Sequence, residues 1–145
     1  MTAPEGIAET LGLRRTAKKP ITPFGLISAI ETGLSVRSLD RVASAIAPSD
    51  ANFKYRIVPK ATLSRRKGRD DPRLSADQSG KVARLAAVWS LAMEIWNDAE
   101  DARTFLFRVH PLLAGRRPID LVLGTELGAQ MVADILNRGR YGTAA

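Results

Sequence analysis

Lys60, Thr62, Ser64, Arg65, Arg66 and Lys67 fall within eight residues, immediately after Pro59. Hydroxyl, ammonium and guanidinium groups interleaved at this density can hydrogen-bond phosphate oxygens, and an arginine on a short helix can reach a guanine edge in the major groove. The surrounding pattern predicts a helix over about 49–58, a turn at Pro59-Lys60 and a second helix over 61–67, the layout of a helix-turn-helix. In that layout Lys60 and Thr62 address phosphates, Arg65 or Arg66 reaches bases or backbone, and Leu63 turns back into the domain. The charge distribution agrees. Residues 1–67 carry 12 basic and 5 acidic side chains and residues 68–145 carry 10 of each, so the whole net charge of +7 lies in the first part. A concentrated surplus of this kind attracts a polyanion, because each neutralised phosphate releases condensed counterions.

The rest of the chain is poor in reactive groups. It has no cysteine and a single histidine, which excludes thiolate zinc sites, cysteine nucleophiles, disulfides and two-histidine metal centres. His110 precedes Pro111 with no motif partner for its second nitrogen, so a hydrogen-bonded loop histidine is preferred to a general base. Asp70, Asp71 and Asp77 could gather a cation, but the acids beside Arg69 and Arg73 read more simply as a self-neutralised linker. Trp89 and Trp96, seven residues apart in an apolar stripe, suit a helix seam better than a stacking platform for bases. No catalytic residue and no cofactor is expected. No window approaches about 18 uninterrupted apolar residues, and the first ten residues lack a signal-peptide pattern, so a cytoplasmic protein without membrane contact is expected.

These side chains need helices to position them. Pro23 and Gly33 bracket a first helix, with Phe24, Leu26, Ile27 and Ile30 on it. Ser35 caps a second, in which Val36, Leu39, Val42, Ala43 and Ile46 recur at steps of three and four until Pro48. Residues 68–74, charged and containing Gly and Pro, read as a boundary or linker. Ser75 and Gln78 make a capping box for the longest helix. Val82, Leu85, Trp89, Ala92 and Trp96 form one stripe, Val88, Leu91 and Ile95 another, with Ser90, Glu94 and Asn97 left for water. Asp98 caps a helix with Ala102, Phe105 and Leu106 inward, and 109–117 is a loop. Pro118 opens a brief helix, and Thr125 caps the last one. There Leu127, Met131, Val132, Ile135 and Leu136 are expected inward, with Gln130, Asp134 and Asn137 outward and Gly139 as the stop. Residues 1–22 show no clear period and read as a mobile or partner-ordered tail.

Two stretches resemble the Xre/MbcA/ParS antitoxins, the partners of RES-domain toxins in type II toxin-antitoxin systems. One is Ile57-Val58-Pro59-Lys60-Ala61-Thr62-Leu63-Ser64-Arg65-Arg66-Lys67, similar to the family's turn and recognition helix. The other runs from His110-Pro111-Leu112-Leu113 through Gly115-Arg116-Arg117-Pro118-Ile119-Asp120-Leu121 into the final helix, with His110 where the family usually has Asn. The resemblance implies an all-α protein: a flexible tail over 1–22, an Xre-like helix-turn-helix domain over 23–68 and a small helical toxin-binding domain over 75–145. It implies a non-enzymatic homodimer that binds operator DNA and blocks the cleft of a toxin that degrades NAD or transfers its ADP-ribose. Toxin contacts are carried onto Arg116, Arg117, Arg138, Arg140 and Tyr141, the last three able to fill a site for acidic groups and a stacked base. Helix-dipole complementation is the plainer reading of Arg138 and Arg140. The alternative function is a helix-turn-helix regulator whose C-terminal half only dimerises or senses a ligand; an enzyme working through His110 is the third.

Overall fold

The computed structural model describes residues 4–13 and 21–140, the side chain of Arg140 excepted. Eight α-helices are formed among them: α1 Pro4–Leu11, α2 Pro23–Thr32, α3 Val36–Ile46, α4 Lys60–Lys67, α5 Ala76–Trp96, α6 Ala99–Phe107, α7 Pro118–Gly124 and α8 Glu126–Arg140. Two 3-10 turns, Phe53–Arg56 and Pro111–Leu113, link them. The described residues contain no strand, only isolated bridges. This is the all-α class expected.

Local chemistry sets most boundaries. Thr22 accepts from Gly25 N at the start of α2, and Ser35 accepts from Arg37 N at the start of α3. At Gly33 φ is +108°, and a Cβ there would lie 2.6 Å from the Leu74 carbonyl oxygen, so the bend between these helices requires glycine. The capping box of α5 is complete, with Ser75 Oγ accepting from Gln78 N and Gln78 Oε1 from Ser75 N, both at 3.1 Å. Asp98 and Thr125 cap as expected, accepting from Asp101 N and Gly128 N.

The 21-residue α5 is the axis of the molecule, packed against α1, α2, α3, α6, α7 and α8. Val82, Leu85, Leu91 and Ala92 are almost wholly withdrawn from water. Burial of each of the larger ones, Val82, Leu85 and Leu91, contributes on the order of 1.5–3 kcal/mol. A single apolar core runs from Leu11 and Leu39 through α5 to Ile119 and Leu136.

Several expectations need correction. Within the expected tail, residues 4–13 are part of the fold: Ala8 and Leu11 are buried, and Ser38 Oγ donates to the Leu11 carbonyl at 2.8 Å. Residues 1–3 and 14–20 lie outside the described residues. Because α1 lies on α5, Ser90, expected to face water, is buried beside Gly6. The supposed linker is stitched to the first half: Leu74 N donates to Leu34 O and Val36 N to Pro72 O, with Leu74 buried. The expected helix over 49–58 is reduced to the turn Phe53–Arg56, although Phe53, Ile57 and Val58 are buried as a helix-turn-helix core requires.

Helix α8 also departs in part from the expected face. Val132 and Leu136 are buried as expected and Ile135 packs against the core, joined by Gly128 and Ala129, whereas Leu127 and Met131 are 67% and 43% exposed. A Cβ at Gly128 would lie 2.3 Å from the Leu121 carbonyl oxygen. The absent side chain lets α8 close on α7 at this point, and that contact leaves Leu127 and Met131 outside. Gly139 does not stop the helix, which continues to Arg140.

Candidate functional site

Proline at position 59 cannot continue a preceding helix, and its fixed φ starts α4 with extended entry geometry. Leu63 anchors α4 in the core at 2% exposure. With that side chain inward, Lys60, Ser64, Arg65 and Lys67 face solvent and Thr62 is half-buried. Among the described residues, none of Lys60, Arg65 and Lys67 is in an ion pair. The Lys60 ammonium and that of Lys54 each lie 5.6 Å from the Tyr55 ring.

Arg66 behaves differently from its neighbours. It is half-buried and donates through Nη1 to Gln78 Oε1, the same oxygen that closes the α5 capping box. Its guanidinium therefore ties α4 to the start of α5. All six polar residues expected to meet nucleic acid remain outward or half-outward on α4, and Arg66 is in addition bonded to Gln78. Asp71, on the suspected cation site, accepts from Arg73 Nε at 3.1 Å, and no cluster of three metal-ligating side chains is found among the described residues.

The C-terminal half presents two surfaces. Along α8 the outward residues Leu127, Gln130, Met131, Asp134 and Arg138 follow one stripe to the end of the helix. Arg138 is exposed on it; the Arg140 side chain and Tyr141 lie outside the described residues. The second surface is the loop between α6 and α7. His110 Nδ1 accepts from Leu112 N at 3.1 Å and caps the turn Pro111–Leu113, while His110 N donates to Arg116 O at 3.0 Å. The histidine is thus a loop fastener, as its place before Pro111 suggests. Arg116 is exposed beside it.

Arg117 is held. Its Nε and Nη2 reach both oxygens of Asp120 at 2.9 and 3.1 Å, and Arg56 Nη2 adds a third bond to Asp120 Oδ1 at 2.7 Å. The hydrogen bond from Arg117, with that of Arg56 and the charges of both, lowers the Asp120 pKa against an opposing contribution from burial. The same hydrogen bond, accepted by Asp120, raises the pKa of Arg117. An arginine so engaged has less to offer a partner than Arg116.

Two family models match this chain. Residues 25–87 match the antitoxin Xre-like helix-turn-helix domain, and residues 91–142 match the antitoxin Xre/MbcA/ParS C-terminal toxin-binding domain. The chain belongs to the Xre/MbcA/ParS antitoxin family. A relative in Yersinia enterocolitica, named Antitoxin Xre, is 27% identical over 119 residues, covering 81% of this chain and 79% of its own. The antitoxin thus joins a helix-turn-helix domain containing α4 to a toxin-binding domain containing α6 to α8. The two matches meet inside α5, not at the 68–74 segment. No helix among the described residues is long and apolar enough to cross a membrane.

What sequence reasoning missed are exposed apolar side chains of the toxin-binding domain: Trp96, Val109, Leu112, Leu127 and Met131. By spacing alone, Trp96 and the α8 pair belong inward. Val109 and Leu112 sit in a loop, where periodicity carries no signal. Gly128, three residues after the cap at Thr125, is the one available hint that α8 starts with small residues inward.

Proposed function

We propose that this antitoxin neutralises a RES-type, NAD-consuming toxin by occupying the cleft through which NAD enters, and that as a homodimer it represses its own operon through α4. The carrying observation is the outward stripe of α8, whose Leu127 and Met131 lead to Arg138 at the end of a helix matched to a toxin-binding domain. A helix of this kind docks by its apolar residues and delivers the groups at its C-terminal tip. Arg138, Arg140 and Tyr141 are the groups that enter the cleft, with Arg116 contacting its rim. Arginine suits a site shaped for phosphate, and a tyrosine ring suits one shaped for a stacked base. The antitoxin performs no reaction in this reading.

Repression is supported by Lys60, Arg65 and Lys67, three cations outside any ion pair among the described residues on a helix with no acidic residue. The test is NAD turnover by the toxin encoded beside this chain. Full-length antitoxin is expected to suppress turnover, and a chain ending at Arg138 to bind the toxin while suppressing poorly. Complete suppression by the shortened chain rejects the tail as the blocking element.

A further inference from the structure

The loop between α6 and α7 closes one side of a hollow of about 360 Å³, open to solvent and lined by Trp96, Phe105, Arg108, Val109 and His110. The Trp96 and Phe105 rings lie 5.1 Å apart at 36°, and His110 meets Phe105 edge-on at 6.1 Å. Trp96 is 36% exposed, Val109 58% and Leu112 46%, a concentration of unburied apolar surface that a solvated loop does not need. The loop is also stiff: the bonds His110 N to Arg116 O, Leu112 N to His110 Nδ1 and Arg116 N to Leu113 O close it on itself. A partner docking here meets a surface already shaped, so little ordering cost opposes the contact.

We propose that this hollow is the anchor point for the toxin: it receives a bulky apolar side chain that is flanked, on the toxin, by an acidic residue. Three observations select that occupant. Every lining residue falls within 91–142, the stretch matched to a toxin-binding domain. The aromatic lining with an adjacent arginine has the composition of interface hot spots. The lining carries Arg108 against one carboxylate, Asp101, and the loop that closes it adds the exposed Arg116 and no acidic residue. The local surplus is positive and matches an acidic neighbour on the partner. The inference rests on the antitoxin reading but places the main attachment away from the tail.

The full-length antitoxin and the toxin encoded beside it are the reagents, and the dissociation constant of their complex is the readout. The double variant Val109→Asp, Leu112→Asp is expected to weaken the complex by at least about tenfold, with an unchanged melting midpoint and unchanged operator affinity. Arg108→Glu with Arg116→Glu, which alters only exposed charges, is expected to slow association and remove part of its salt dependence, so a folding defect in the first variant leaves the second decisive. Wild-type affinity in either properly folded variant overturns the proposal. So does a variant that changes the oligomeric state of the free antitoxin while binding toxin normally, which would mark the hollow as a contact between copies of this chain. If wild-type antitoxin forms no complex with that toxin, the antitoxin reading fails together with the anchor. If truncation after Arg138 leaves inhibition intact but the loop variants abolish binding, only the tail reading fails.

Discussion

Arg56 donates to Asp120 across 2.7 Å, joining the turn just before α4 to the first turn of α7, 64 residues further on. The carboxylate also holds Arg117 in a two-point grip, and Phe53 and Phe107 meet edge-on at 6.2 Å nearby. The helix-turn-helix and the toxin-binding domain are therefore connected by charge and by ring contact as well as through α5.

Replacing Asp120 by Asn is expected to destabilise the protein by about 1 kcal/mol at neutral pH, because both pairs are partly exposed and such pairs contribute little each. The pH dependence has a definite sign. Asp120 is held below its unfolded pKa, so its contribution is complete above that value and is lost on acidification, starting below about pH 4. Denaturant melts at pH 7 and pH 3 should show the difference between wild type and Asp120→Asn shrinking at the lower pH. A difference that grows with acid contradicts the assignment.

Arg65→Ala and Lys67→Ala should each weaken operator binding and reduce the slope of log affinity against log salt by about one phosphate contact. Arg66→Ala should behave otherwise, leaving the slope nearly unchanged while lowering the melting temperature, since its partner is Gln78. Titrations at several salt concentrations separate the two patterns. Equal slopes in all three variants would put Arg66 on the same footing as its neighbours.

Gly128→Ala places a methyl group against the backbone of Leu121 and should cost about 1–3 kcal/mol, the usual range for overpacking. Because α8 must shift to relieve the clash, toxin affinity should fall as well. Gly124→Ala, with open space around the site, is the control for a simple helix-propensity change.

Leu11→Ala tests whether the N-terminal helix belongs to the core. Leu11 is 1% exposed, so truncation should cost about 2–5 kcal/mol. A loss under about 0.5 kcal/mol, the range typical of surface sites, would show that α1 contributes nothing to folding.

Elements with strong local chemistry were legible in the sequence: α3 from its Ser35 cap and apolar spacing, α5 from the Ser75–Gln78 box, α4 from Pro59 and the inward Leu63. Local pattern failed where small residues make the contact. Helix α1 has only Ala8 and Leu11 fully buried, too few to show a period, and it covers Ser90, which by polarity belongs outside. At α8 the absence of a side chain at Gly128 outweighed the bulk of Leu127 and Met131. The binding residues were legible by type but not by availability. Lys60, Arg65 and Lys67 remain accessible, whereas Arg66 and Arg117 look identical to them in the sequence and are occupied by Gln78 and Asp120. Pairings such as Arg56 with Asp120 depend on the assembled fold, which no short window contains.

Since α5 forms a wall of both domains, a single proteolytic nick within residues 76–96 would expose apolar surface on each side of the break. The helix-turn-helix and toxin-binding domains would then fail in the same event. One cut in this helix thus costs the chain both surfaces together, with no interval in which either outlasts the other.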